Sequence, residues 1–240
     1  MSVGITERGD PALDFRWENQ INNHVFCVLI TKQLNDTFIN KVLKYKSKVI
    51  LHITCTGWGN TSLEPGAYSP EKTFSQFLKL VDQGFPISQI VLRLDPVIPN
   101  DLGIEKAKKV LDLFRDSGLK RVRFSFIDRW NKIVPIMAQR GYPFEWDTFD
   151  PPQENMEIFM KLASCYSNFV FESCAEDFGI RVGCVSEKDF EILGLPVPEL
   201  TPRNSKSRSK CLCCSEKTEL LLPEKACGIN CGYCFLQESK

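Results

Sequence analysis

The sequence predicts an α/β fold, and two observations carry that prediction. Short runs rich in β-branched and aromatic residues recur along the chain, and stretches with helical spacing of apolar residues lie between them. The strand-like runs are also near-continuously apolar, as parallel strands covered on both faces are. A hydrophobic content of 43% over 240 residues suffices for a real core, in one large domain or two small ones.

Taken in order, candidate strands cover 25–31, 48–56, 89–95, 121–127 and 168–173. Between the second and third, Ser69 followed by Pro70 reads as an N-cap and first helical residue. Phe74, Phe77, Leu78 and Val81 then form an apolar stripe that Gly84 ends. Between the third and fourth, a helix is expected over 104–117, with Ala107, Val110, Leu111 and Phe114 on one face and Gly118 as its stop. Another is expected over 154–164. Helices placed between strands in this way suit right-handed crossovers. From about Leu200 the texture changes. Residues 201–210 have no periodicity and carry Arg203, Lys206, Arg208 and Lys210, which reads first as a solvated linker and, as the sharper alternative, as a nucleic-acid contact. There is no internal repeat or heptad run.

The 30 Lys and Arg residues balance 30 Asp and Glu, which argues against a general polyanion binder. No run of roughly 18 uncharged apolar residues occurs, and residues 1–8 lack the basic-then-apolar order of a signal peptide. A soluble, cytoplasmic protein with no membrane partner is expected. Eleven cysteines, an odd number without an export signal, point to metal ligation rather than a disulfide framework.

Six of those cysteines fall between Cys211 and Cys234, and three form Cys227-Gly-Ile-Asn-Cys231-Gly-Tyr-Cys234. Three thiolates this close can wrap a compact iron–sulfur cluster and leave one iron open, whereas four would leave none. On the cysteines alone the competing reading is a tetrahedral zinc site drawn from Cys211, Cys213, Cys214, Cys231 and Cys234.

The C-x3-C-x2-C spacing, the glycines and the aromatic Tyr233 before the third cysteine resemble the radical S-adenosylmethionine superfamily. The resemblance implies a 4Fe-4S cluster on Cys227, Cys231 and Cys234, S-adenosylmethionine chelated to the open iron, Tyr233 near its adenine, and a reductant such as flavodoxin or ferredoxin. In most members the motif follows the first barrel strand near the N-terminus. Here 218–223 reads as that strand, at the far end of the chain. Circular permutation reconciles the two, and close chain termini make it physically cheap. The expected architecture is therefore a partial (β/α)6 TIM-like barrel, circularly permuted, with a C-terminal cysteine-rich segment. Residues 1–200 form the permuted barrel, and 201–240 the linker and cysteine-rich segment that complete it.

In that register the chain resembles the spore-photoproduct-lyase-like branch, and more closely a family of permuted relatives. The matching segments are Ile5-Thr-Glu-Arg-Gly-Asp-Pro11, Leu29-Ile-Thr-Lys32, His52-Ile-Thr-Cys-Thr-Gly57, Leu63-Glu-Pro-Gly-Ala-Tyr-Ser-Pro70, Arg93-Leu-Asp-Pro-Val-Ile-Pro99 and Ser125-Phe-Ile-Asp128. By resemblance, Thr6, Glu7 and Asp10 lie near the cofactor's amino group, Lys32 near its carboxylate, and Thr54 and Thr56 near its ribose. Arg93, Asp95, Ser125 and Asp128 line the cofactor or the substrate. Each has a plainer reading, since strand-end polar residues often cap the next helix and Arg93 with Asp95 makes a structural ion pair.

The permuted relatives also imply a second centre. Cys174-Ala-Glu176, Gly183-Cys184 and Cys211-Leu-Cys213 match their motifs, so Cys174, Cys184, Cys211 and Cys213 are expected to hold a second iron–sulfur cluster or a zinc ion, with Cys214 as a spare for Cys213. Cys27, Cys55 and Cys165 are expected to be core thiols, and His24 and His52 packed or surface residues rather than ligands. The short stretch after Cys234 leaves only a stub for the first barrel helix, so a protein partner or large substrate is expected to cover an open barrel flank. The function implied is reductive cleavage of S-adenosylmethionine to a 5'-deoxyadenosyl radical that takes hydrogen from a substrate. The branch suggests a nucleic acid base for that substrate, and no catalytic residue is assigned. The alternative is a non-enzymatic iron–sulfur or zinc-binding barrel subunit that binds a partner or nucleic acid.

Overall fold

The apolar runs assemble into one parallel sheet of eight strands in the computed structural model, which describes residues 1–177, 179–200, 211–212, 216–222, 227–234 and 236. The strands are β1 (Val3–Ile5), β2 (Cys27–Thr31), β3 (Val49–Thr54), β4 (Ile90–Val97), β5 (Arg121–Phe126), β6 (Val170–Ser173), β7 (Ile180–Arg181) and β8 (Lys217–Glu219). Their order across the sheet is β7-β6-β5-β4-β3-β2-β1-β8, with every pairing parallel. From β1 to β7 each strand thus lies beside its predecessor in the chain, and β8 returns to pair with β1, Val3 opposite Lys217 and Ile5 opposite Glu219.

The crossovers carry α1 (Asp36–Val42), α2 (Pro70–Asp82), α3 (Asp101–Phe114), α4 (Val134–Gln139) and α5 (Gln153–Ser164), and α6 (Glu187–Ile192) follows β7. Ser69 caps α2 as expected, its hydroxyl accepting from the Lys72 amide, with Pro70 in the first turn. The apolar stripes of α1, α2, α3 and α5 all pack on one face of the sheet. There Phe38, Phe77, Phe114 and Phe159 meet Leu29, Leu51, Leu92 and Phe124 in a single buried cluster. The opposite face presents Val3, Val28, Ile50 and Val91 and is covered by Phe190 of α6 with its flanking residues. Strand alternation produces this division, since successive side chains leave opposite faces.

Several expectations change. Eight strands replace the six of the expected barrel, because β6 and the two-residue β7 extend it on one side. The strand expected over 218–223 is the three residues of β8, after which Leu220 and Leu221 turn into the core instead of continuing the ladder. The helix expected over 104–117 begins and ends three residues earlier, at Asp101 and Phe114. The Asn100 side chain caps it by accepting from the Gly103 amide. Gly103 lies in that first turn because a Cβ there would meet the Ile98 carbonyl at 1.9 Å. Cys165 is not a core thiol: it is exposed at the end of α5, with its Sγ 3.4 Å from the Lys161 carbonyl. Cys27 and Cys55 are buried in the helix-covered face, and burial pushes both thiols up to about 12. The 201–210 linker, Cys213, Cys214 and most of the stretch after Cys234 lie outside the described residues. Among the described residues, no helix is long and apolar enough to cross a membrane.

Candidate functional site

Parallel strands deliver their carboxyl ends, and the loops that follow, to one edge of the sheet. The loop after β3 runs through Gly59, which bridges to Glu64, and then through Pro65, Gly66 and Ala67 to the cap of α2. The cysteine loop docks here. The Gly66 amide donates to the Ile229 carbonyl at 3.1 Å, and the Gly232 amide to the Leu63 carbonyl at 2.8 Å. A Cβ on Gly66 would stand 2.6 Å from the Gly228 carbonyl oxygen and 2.7 Å from the Ile229 Cα, so only glycine permits this approach. From α4's end, Arg140 donates through Nη1 to the carbonyls of Ser62 and Asn230, at 2.9 and 2.7 Å, and through Nη2 to the Asn230 side chain.

So held, Cys227, Cys231 and Cys234 gather with Ala67, Ile229 and Tyr233 in one small cluster. Burial pushes the Cys231 thiol well up, with the Lys32 ammonium acting the other way, and it also raises Cys227. Lys32, one residue past β2, donates to Glu64 Oε1 and to the Tyr233 hydroxyl, both at 2.8 Å. Burial pulls this ammonium down, but Glu64 and Cys231 outweigh that effect and its pKa is raised. Glu64 is 1% exposed, so the lysine's charge is compensated inside the protein.

Around this centre the other candidates are tied into the scaffold. Asp10 accepts from the Ala12 amide, the Thr31 hydroxyl and the Lys32 amide at 2.9, 2.7 and 2.8 Å, which fixes the end of β2 against the loop after β1. Burial raises its pKa against the pull of those bonds. The Thr6 hydroxyl accepts from the Ile30 amide, and Glu7 pairs with Lys217 of β8 at 2.7 Å. Thr54 and Thr56 are buried, and the Thr56 hydroxyl accepts from the Trp58 amide. Arg93 pairs with Asp95, which in turn accepts from the Ser125 hydroxyl, while Arg93 Nε and Nη1 have no partner among the described residues. His52 is fully buried on the same face of β3 as Thr54, and neither ring nitrogen has a partner there. Desolvation and the nearby Arg123, Arg93 and Arg121 hold its pKa well below the usual value. His24 shares a 3.0 Å hydrogen bond with Ser2.

For the second group, Cys174 and Cys184 are buried in the cluster beneath α6, and Cys211 packs against it. The 183 and 212 backbones touch, since a Cβ on Gly183 would stand 2.6 Å from the Leu212 carbonyl oxygen. The fourth thiol, Cys213, is outside the described residues. Among the described residues, no three His, Cys, Asp or Glu side chains are arranged to hold a single metal ion.

Residues 15–236 match the model of a family described as a domain of unknown function (DUF1848). The chain belongs to that family. No curated protein and no solved structure matches it.

Three features of this DUF1848 chain escape sequence reasoning. Glu64 was visible only as part of the Glu-Pro segment, not as the counter-ion of Lys32. Arg140 carries no motif. Arg121 and Arg123 lie on the same face of β5 and converge on Glu172 of β6, Arg121 also reaching Asp189 of α6 at 2.8 Å and Arg123 the Cys184 carbonyl at 3.0 Å. Alternating arginines in a strand were the available signal, but their acceptors lie some fifty residues or more away in the chain.

Proposed function

We propose that the protein is a radical S-adenosylmethionine enzyme whose reactive iron–sulfur cluster is held by Cys227, Cys231 and Cys234. The observation that carries this reading is the gathering of these three thiols, with no fourth cysteine in their cluster among the described residues, beside a Lys32–Glu64 pair at the carboxyl ends of parallel strands. The donor set fits. A multi-iron cluster places each thiolate on a different iron, so the thiolates need not converge as they would on one ion. Metal ligation also deprotonates buried thiols that would otherwise stay protonated.

When bound, the cluster and S-adenosylmethionine supply a one-electron reductive cleavage that yields a 5'-deoxyadenosyl radical able to take hydrogen from a substrate. The chain's own residues orient and exclude water. Lys32 gives two of its three ammonium hydrogens to Glu64 and Tyr233 and has the third to offer an anionic group beside the cysteines, and Tyr233, fixed by its hydroxyl on Lys32, presents a ring to a planar one. Asp10 locks the backbone from which Lys32 projects.

The sheet supports a circularly permuted barrel. Its order has no reversal of the kind a doubly wound sheet requires, four of the five helices in its crossovers cover one face, and the last strand lies beside the first. Cys174, Cys184, Cys211 and Cys213 are proposed to hold a second centre, iron–sulfur or zinc, supported by the shared packing of the first three. The test is anaerobic purification with iron, sulfide and zinc analysis, then reduction with S-adenosylmethionine. Iron with sulfide and formation of 5'-deoxyadenosine are expected, with product lost and the second centre kept in Cys231→Ala. Zinc without sulfide, or full activity in that variant, overturns the reading.

A further inference from the structure

The segment between β5 and α5 is long and aromatic, and it roofs a cleft of about 280 Å³ at the carboxyl ends of β3 and β4. Trp58 and Trp146 are buried in its lining, and Tyr142 and Phe144 are partly exposed there. The rings set one another edge-on, Trp58 to Tyr142 at 4.9 Å and 72°, Phe144 to Trp146 at 5.3 Å and 85°. Such walls are rigid and present flat faces to a planar guest. The volume lies just below the roughly 300–1,000 Å³ of small-molecule sites, and so suits one ring system rather than a polymer.

The polar lining selects further. Asp101 and Glu145 are exposed carboxylates at the cleft, and Asn100 donates to Glu145 Oε1 at 2.6 Å. Among the described residues no Lys or Arg belongs to the lining itself, but Lys106 stands over the Trp58 ring at 5.9 Å and Arg129 over the Phe144 ring at 6.0 Å. With the two cations set over ring faces, the groups exposed in the lining are the carboxylates, which disfavour phosphate there and accept hydrogen bonds from amino groups. Trp146 supplies the converse requirement, because its indole N–H has no acceptor among the described residues. The ligand therefore carries a donor edge and an acceptor edge on a flat, largely apolar body. Tyr233 packs against the same aromatic cluster, and Arg140, adjoining the cleft's Gly141, grips the cysteine loop. The cleft is thereby joined to the proposed reactive centre.

We propose that this cleft binds an amino-bearing heteroaromatic ring without phosphate, of nucleobase or nucleoside size, as the substrate site of the enzyme. Its role as substrate site rests on the radical-enzyme reading; the binding does not. The experiment is calorimetric titration of the full chain, without cofactor, with cytidine and guanosine and with their 5'-monophosphates. Adenosine is omitted because the proposed cofactor carries its own adenine. Expected are binding of at least one nucleoside, weakening by about tenfold in Glu145→Gln, whose melting is unchanged, and in Trp146→Phe, and weaker binding of the monophosphate. No binding at millimolar nucleoside, equal or tighter monophosphate binding, or indifference to both substitutions overturns the cleft. Nucleoside binding in a protein that forms no 5'-deoxyadenosine removes the enzyme reading and keeps the site. Product formation without nucleoside binding does the reverse.

Discussion

Replacing Gly66 by alanine tests how the cysteine loop is held. The new Cβ would stand 2.6 Å from the Gly228 oxygen, where ordinary contact begins at 3.4 Å, so the two loops must part by about 0.8 Å. The Gly66 to Ile229 hydrogen bond, now 3.1 Å, then exceeds hydrogen-bonding distance. Overpacking of about 1–3 kcal/mol and a lost hydrogen bond of about 1 kcal/mol together cost about 2–4 kcal/mol. For a chain of this size that is roughly 5–15 °C in Tm. Gly228, inside the cysteine motif itself, is the control. A Cβ there meets only the Leu13 Cδ1 at 3.2 Å, the end of a side chain that is itself exposed. Thermal scans of the metal-free protein should show Gly66→Ala well below wild type and Gly228→Ala within about 1 kcal/mol of it. Iron content after reconstitution should fall in the same order. Equal melting of the two variants would refute the docking geometry.

Glu172→Gln should lower urea stability by about 3–5 kcal/mol, because Arg121 and Arg123 are left buried without their shared carboxylate. Burial alone would raise that carboxyl, but the two arginines outweigh it and depress its pKa. The stabilisation is therefore present above the unfolded carboxylate range and lost as pH falls through the lower folded value, and the variant should lack this acid-limb loss. A loss below 1 kcal/mol would mean that the two guanidinium groups find other partners. His52→Leu should be close to neutral above pH 7, since neither ring nitrogen is bonded. In the wild type the folded pKa lies far below the unfolded one, so stability falls as pH drops below about 6.5. The leucine variant should show a flatter slope between about pH 6.5 and 5, and an unchanged slope would contradict a neutral buried imidazole.

What the sequence made legible follows the range of the forces involved. Ser69-Pro70 and the apolar stripe behind it locate α2 to within a few residues, because capping and periodicity are local. The start of α3 escapes the apolar pattern, since Gly103 is a weak helix former whose place in the first turn is explained only by its contact with Ile98. The cysteine motif announced its own loop. The partners that position it, Glu64, Gly66 and Arg140, lie far off in the chain and carry no spacing signal. The aromatic segment after β5 likewise has no period, and its cleft exists only once Trp58 and Trp146, nearly ninety residues apart, share a wall. Cys165 looked like its buried neighbours in composition, but the last turn of α5 turns it outward.

The pairing of β8 with β1 joins residues more than two hundred positions apart, and among the described residues β1 is the sole ladder partner of β8. Closing so long a loop is entropically the most demanding contact of the sheet, and three residues of ladder return little for it. The edge that carries the cysteine loop therefore depends on the longest chain closure in the sheet. Assembly of the remaining strands need not wait for the loop, and if Cys227, Cys231 and Cys234 hold the proposed cluster, docking against Gly66 and Arg140 closes the edge after the cluster is in place.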